Sequence, residues 1–282
     1  MLKFAKSSIF FIWLKIVKKF HYSKFSSNYS SIFLENFFNF LRGVKTKFYF
    51  NNVNNLFHVV ENKKKITFND KIRGIDLYRD GISKRADFIH SSYCLNKISF
   101  NTNDIVIDCG ANYGDLYLKL SNLIKPENYI AIEPNPRDFQ TLKLNTSNKS
   151  KIINKGLGNT NGTLPFYVSL TEADSSFIEP NYYTEIINVP VIRLDKLINQ
   201  LNLNKIKLLK VEAEGYEPEV LDGLGDKITI CEYIAVDGGY ERGVNNEQTF
   251  TSVTNFLLDN NFKMIDIYLS WCRALFINKK NR

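Results

Sequence analysis

Three carboxylates stand where they could do chemistry. Glu212 and Glu214 lie two positions apart in Lys210-Val211-Glu212-Ala213-Glu214-Gly215, at the end of the apolar run Ile206 to Val211, and Asp237 closes a second apolar run ahead of Gly238 and Gly239. Solvation explains acids in an apolar strand poorly. If the strand persists, Glu212 and Glu214 project from one face, where a carboxylate can take the proton of a weak hydroxyl nucleophile or orient it. We expect Glu214 to be the base, with Glu212 orienting the acceptor and Asp237 beside them. Lys210 could pair with either acid, and Arg242 suits an anionic or hydroxyl-rich acceptor as well as a surface ion pair. Glu217 and Glu219 read as favourable charges in a first helical turn. His90, a lone histidine on a helix, reads as packed or exposed rather than as a base. The acids could hold magnesium or manganese through oxygen, but their spacing matches no metal motif and no metal is expected.

A second constellation lies upstream. Asp108-Cys109-Gly110-Ala111-Asn112-Tyr113-Gly114 follows an apolar run and opens a helical pattern, and glycines in such a loop let the backbone approach a ligand closely. The spacing G-x-x-x-G lacks the G-x-G that seats a dinucleotide pyrophosphate. S-adenosyl-L-methionine has no phosphate: its ammonium would suit Asp108, and its carboxylate would suit the amides around Gly110, Asn112 and Gly114. Glu133 lies 25 positions after Asp108, at the end of the next apolar run, where a carboxylate can accept ribose hydroxyls. Each feature alone reads equally well as a turn glycine or a helix N-terminal charge. Their combined position and spacing favour the cofactor.

These residues need strands to hold them. Apolar strand-like runs at Ile105 to Ile107, Tyr129 to Ile132, Ile152 to Ile153, Ile206 to Val211 and Ile228 to Val236 alternate with helical patterns, as in a parallel sheet covered by helices. Asn135 and Pro136 read as the cap and first residue of one helix, and Pro218 opens another that closes near Gly225. A further helix is expected from about Glu247 to Asp259, and Met264 to Leu269 with Ala274 to Ile277 suits a final hairpin. Seven strands in this order predict a seven-stranded doubly wound sheet of the class I methyltransferase (Rossmann-like) type. Upstream, Phe48 to Phe50, Leu56 to Val60 and Ile66 to Phe68 read as short strands, and residues 76 to 98 as one or two helices. The expected division is an N-terminal helical and β extension over 1–74 and a catalytic domain over 75–282.

At the motif residues the chain resembles the FkbM family of methyltransferases. The pattern V-I-D-x-G-A-N-x-G appears as Val106 to Gly114, I-E-P as Ile132 to Pro134, and K-x-[DE]-x-E-G-x-E-x-x-V-L-x-G as Lys210 to Gly223, with Glu212 where many members have aspartate. The resemblance also takes in Gly156-Leu157-Gly158, Ala173 to Ser176 and Glu241-Arg242-Gly243, covering roughly residues 75 to 277. It implies a cofactor contact at Leu157 and O-methylation, often of sugars in glycans or glycosylated natural products. A sugar or glycan hydroxyl is therefore the expected acceptor, and a lipid-linked one is compatible. Two other readings are a nicotinamide oxidoreductase, disfavoured by the missing G-x-G, and a membrane-associated cofactor-binding protein without turnover.

Composition excludes other classes. Apolar and charged fractions of 44% and 23% are those of a soluble globular protein rather than a disordered or spanning one. The net charge is +8, with much of the excess in the first 65 residues, which suits an anionic partner. Phe10, Trp13, Leu14, Val17 and Phe20 trace one helix face over residues 1–20, too short an apolar run for a span or a secretion signal and followed by lysines. The segment reads as an interfacial helix on an anionic membrane and equally as a helix packed against the protein's own core, and no nucleic acid is expected, for want of a recognisable motif. Cys94, Cys109, Cys231 and Cys272 form no C-x-x-C pair, so a reducing cytoplasmic location, peripheral to the membrane face, is expected. The oligomeric state is not legible.

Overall fold

The computed structural model describes residues 27–169 and 175–281, so the helix expected over 1–20 lies outside the described residues. The chain forms two compact units, Met1–Ala86 and Asp87–Arg282. The sequence-based division after residue 74 would cut through α2 (Lys71–Tyr78). Among the described residues no helix is long and apolar enough to cross a membrane.

In the first unit α1 (Asn28–Arg42) is capped by Ser27, whose hydroxyl accepts the Ser30 N–H at 3.1 Å, and is closed by Gly43 in the left-handed region. The short strands expected here form as β1 (Lys47–Asn51), β2 (Leu56–Glu61) and β3 (Lys64–Phe68), which pair antiparallel in order. Phe48, Phe57, Val59, Ile66 and Phe68 form their core. Helix α2 is capped by Asp70, which accepts from Arg73 N at 2.8 Å, and packs so closely that a Cβ on Gly74 would collide with the Phe68 ring. Helix α3 (Ile82–Ser92) follows.

The second unit is built on a sheet ordered β12-β13-β11-β10-β4-β5-β6. Its strands are β4 (Val106–Cys109), β5 (Tyr129–Ile132), β6 (Lys151–Ile153), β10 (Ile206–Val211), β11 (Cys231–Asp237), β12 (Phe262–Tyr268) and β13 (Arg273–Asn278). The pairs from β11 through β10, β4 and β5 to β6 are parallel, and β13 runs antiparallel to β11 and β12. Along the strands, Ile107, Cys109, Leu209, Val211, Ile234 and Val236 pack on one face, and Val106, Leu208, Ala235 and Leu275 on the other. Both faces are covered, which is why these strands read as continuous apolar runs. The covering helices include α4 (Asp115–Leu120), α5 (Pro136–Asn145), α6 (Leu194–Gln200), α7 (Glu217–Asp222) and α8 (Phe250–Asp259). Asn135 caps α5 as expected, accepting from Arg137 N at 3.0 Å.

Two expectations need correction. The fifth strand begins at Cys231, because residues Gly225–Ile230 form a 3-10 turn, with the Thr229 hydroxyl donating to the Asp226 carbonyl. A second sheet, β7-β9-β8, was not expected: β7 (Gly156–Gly158), β8 (Gly162–Val168) and β9 (Glu185–Arg193). Pro165 and Pro190 obscure it, since proline argues against a central strand, yet Pro190 lies just outside the three-residue ladder with β7.

Candidate active site

The β4 loop is pinned on both sides. The Gly110 and Ala111 amides donate to the Ile132 carbonyl at 3.0 and 3.1 Å, and Lys210 Nζ donates to the Gly110 carbonyl at 2.9 Å. Gly110 has φ +70°, and a Cβ there would strike the Glu212 carbonyl. That close approach, more than room for a ligand, is what excludes other residues. Gly114, at φ +91°, seats the loop against Leu142 of α5.

Glu133 ties this loop to the next one. Its Oε2 accepts the Asn112 N–H at 2.8 Å and its Oε1 the Asn135 N–H at 2.9 Å. Each carboxylate oxygen retains capacity for a second donor. Asn112 sits in the left-handed region at φ +50°, and its Oδ1 is buried without a hydrogen-bond partner. An orphaned acceptor beside a carboxylate fits a ligand rich in hydroxyl or ammonium donors, as the ribose and methionine ends of S-adenosylmethionine are. Leu157 is buried in the apolar core on β7, so only its backbone or a packing surface is left for a cofactor.

Asp108 departs from its expected part. It is buried, ion-paired with Lys210 at 3.1 Å and hydrogen-bonded by the Tyr129 hydroxyl. Asp108 and Lys210 are direct partners across β4 and β10, so the register places them together. Burial pushes the Asp108 carboxyl up against the opposing pull of Lys210 and Tyr129. From there it holds Lys210, which in turn holds the loop.

The three carboxylates divide into two groups. The strand ends at Val211 and Glu214 has φ +50°, so the condition for a shared face with Glu212 fails. Glu212 is ion-paired with Lys210 at 2.7 Å and with Arg273 at 2.8 Å. Asp237 accepts from Arg273 Nε at 2.6 Å, again across a direct register pair, between β11 and β13. Arg273 spends its third nitrogen on Ser92 Oγ at 2.9 Å, and its guanidinium carbon lies 4.4 Å from the Tyr93 ring centroid and 5.1 Å from that of Trp271. A planar fork held between rings and carboxylates is a use that lysine could not replace. Sequence reasoning missed Arg273; its one signal was a charge opening an otherwise apolar strand.

Glu214 pairs differently, its carboxyl hydrogen-bonding that of Glu241. Glu241 is pushed up to about 8, first by burial and then by the charges of Asp237 and Glu217. Two carboxyls in contact share a proton. Glu241 was noticed only as part of a family motif. Glu217, read as a solvated first-turn charge, is buried, with Oε1 accepting from Ala213 N at 2.8 Å and Oε2 from the Thr249 hydroxyl at 2.9 Å. Arg242 forms a partly buried bidentate pair with Glu219, at 2.7 and 3.0 Å, and donates to the Gly215 carbonyl. His90, half-buried on α3, faces Lys119 and Asp87, and burial lowers its pKa. Among the described residues no group of three or more His, Cys, Asp or Glu is placed to hold a metal ion.

The strand order, the antiparallel β13 and the ligand loop at the carboxyl end of β4 together define a class I methyltransferase domain. More narrowly, the chain belongs to the Methyltransferase FkbM domain family, which matches residues 108–264, and it is an S-adenosylmethionine-dependent methyltransferase. It is similar to Methyltransferase 1 of Beauveria bassiana, 25% identical over 170 residues that cover 50% of this chain and 68% of the relative. It is also similar to the hexuronic acid methyltransferase AglP of Haloferax volcanii, 27% identical over 139 residues, covering 48% of this chain and 56% of that one. Among solved structures, Methyltransferase FkbM from Methylobacillus flagellatus is 18% identical with a TM-score of 0.44, over 68% of this chain and 50% of its own. The match thus spans only about half the length of AglP and of that structure.

Glu133→Ala is expected to weaken S-adenosylmethionine binding at least about tenfold, roughly 1.4 kcal/mol, by removing an acceptor and releasing the Asn112 and Asn135 amides. Titration calorimetry on the folded variant checks it.

Proposed function

We propose that the chain transfers a methyl group from S-adenosylmethionine to a hydroxyl of a sugar in a glycan or glycoconjugate, on the cytoplasmic side. The observation that carries this reading is the Glu214–Glu241 pair, a proton-sharing acid two residues beyond the Glu212 carbonyl that touches the cofactor loop. A sugar hydroxyl loses its proton only as it is methylated, so it needs a base, which stronger nucleophiles do not. The hexuronic acid named for the Haloferax relative supports a sugar acceptor, and a lipid-linked sugar fits the same chemistry.

When bound, S-adenosylmethionine supplies an already activated methyl group. The protein's part is then placement and proton removal. Glu133 and Asn112 would hold the cofactor's donors, Lys210 fixes the loop, and Arg273 holds the Glu212 and Asp237 carboxyls in place beside it. Glu214 takes the proton, with Glu241 as its hydrogen-bonded partner.

Incubating the purified protein with methyl-labelled cofactor and glycan fractions from its own cells should place label on a sugar oxygen, located by mass spectrometry. Label on nitrogen or carbon would reject the hydroxyl acceptor. Cofactor binding with no label on any fraction would favour the reading without turnover.

A further inference from the structure

Helix α1 carries its polarity inverted. Ser31, Ile32, Glu35 and Asn39 are its buried positions, whereas Tyr29, Phe33, Phe37 and Phe40 are 58%, 70%, 47% and 79% exposed. Spacings of four, four and three put these rings on one face, and Leu41 borders them, also exposed. The inward face is set by hydrogen bonds: the Asn36 side-chain amide donates to the Phe48 carbonyl at 2.8 Å and accepts from the Phe48 N–H at 2.7 Å. These bonds satisfy the backbone of β1 and fix the rotation of the helix. Rolling it to bury the rings would break them, so the aromatic stripe is held outward.

Four exposed rings make an apolar patch on the order of several hundred Å², large enough to mark an interaction surface. The charge of this part of the sequence selects the partner. Residues 1–60 contain nine Lys and Arg and a single acid, Glu35, which is itself buried. Lys45 and Lys47, on the segment that follows the helix, are exposed. A second copy of this chain would set like charges against each other, whereas anionic lipid headgroups supply the complement and acyl chains take the rings. We infer that α1 is a membrane-docking helix, with Phe33, Phe37 and Phe40 seated at the acyl boundary of an anionic bilayer and Lys45 and Lys47 at its headgroups. The inference is independent of the acceptor and of the methyl transfer.

The full chain is tested by co-sedimentation with phosphatidylcholine vesicles, with and without about 30% phosphatidylserine. Partition onto the anionic vesicles is expected, falling with added salt and at least about fivefold weaker in Phe33→Ser/Phe40→Ser. Both positions are exposed, so circular dichroism should show an unchanged fold. Lys45→Glu/Lys47→Glu, with the rings intact, should weaken binding as well. Absence of binding to anionic vesicles, or undiminished binding in both folded variants, overturns the inference. A wild-type dimer that becomes monomeric in Phe33→Ser/Phe40→Ser while vesicle binding persists assigns the face to a second copy and overturns it too.

Discussion

Arg273→Met is expected to destabilise the second unit by about 3–5 kcal/mol, a large share of the stability of a typical domain, because it strands charges that one guanidinium now neutralises. Asp237 is almost fully buried, and Glu212 would lose one of its two cations, keeping its ion pair with Lys210. Arg273→Lys should recover little, since one ammonium cannot reach Asp237, Glu212 and Ser92 from between two aromatic rings. The double variant Arg273→Met/Asp237→Asn should regain part of the loss by removing the orphaned charge. Urea denaturation of the four proteins measures this. A loss in Arg273→Met below about 1 kcal/mol would mean that the network is solvated and weak.

Glu214→Gln is expected to lower turnover on the order of 100-fold or more with cofactor affinity nearly unchanged, since the amide keeps size and hydrogen bonding but cannot accept a proton. Burial and the charges of Asp237 and Glu217 push Glu241 up to about 8 while its hydrogen bond to Glu214 pulls it down, and on the proposed reading Glu214 is the member of the pair that receives the acceptor's proton. Glu241→Gln should therefore spare most of the turnover near pH 7 but remove its change above pH 8. Glu212→Gln should chiefly raise the acceptor's KM, because that side chain is fixed by two cations. Wild-type turnover in both Glu214→Gln and Glu241→Gln would exclude this pair, and His90 would become the residue to test.

The same pair makes stability depend on pH. The Glu241 carboxyl rises from 4.5 to about 8 on folding, so the folded chain holds a proton that the unfolded chain releases in that interval. Its contribution is intact below pH 4.5 and is lost as pH rises through 8. Glu217, pushed up to about 7 by burial, acts in the same direction. Melting temperatures across this range should fall for the wild type and more shallowly for Glu241→Gln.

The sequence by itself determined the seven-stranded sheet and the glycine turn after β4. Strands buried on both faces must be apolar throughout, so Tyr129–Ile132 and Ile206–Val211 were legible to the residue, and the Asn135-Pro136 cap is a local rule that needs no distant partner. Glycines at positive φ and an acid at a strand end are likewise local demands, which is why Gly110, Gly114 and Glu133 could be chosen before any contact was known. What only the tertiary structure decided is which charges meet. Asp108 with Lys210 and Asp237 with Arg273 are register pairs between strands distant in sequence, and no spacing along the chain encodes a register. Glu214 left the face of Glu212 because the backbone turns left-handed there, and a Cβ on the adjoining Gly215 would collide with the Arg242 backbone. Glu241 became a weaker acid through burial. Periodicity reports how a residue faces its own element, whereas proton affinity depends on every charge that folding brings around it, and for Glu241 these include Glu212, Glu214 and Glu217 from beyond the end of another strand.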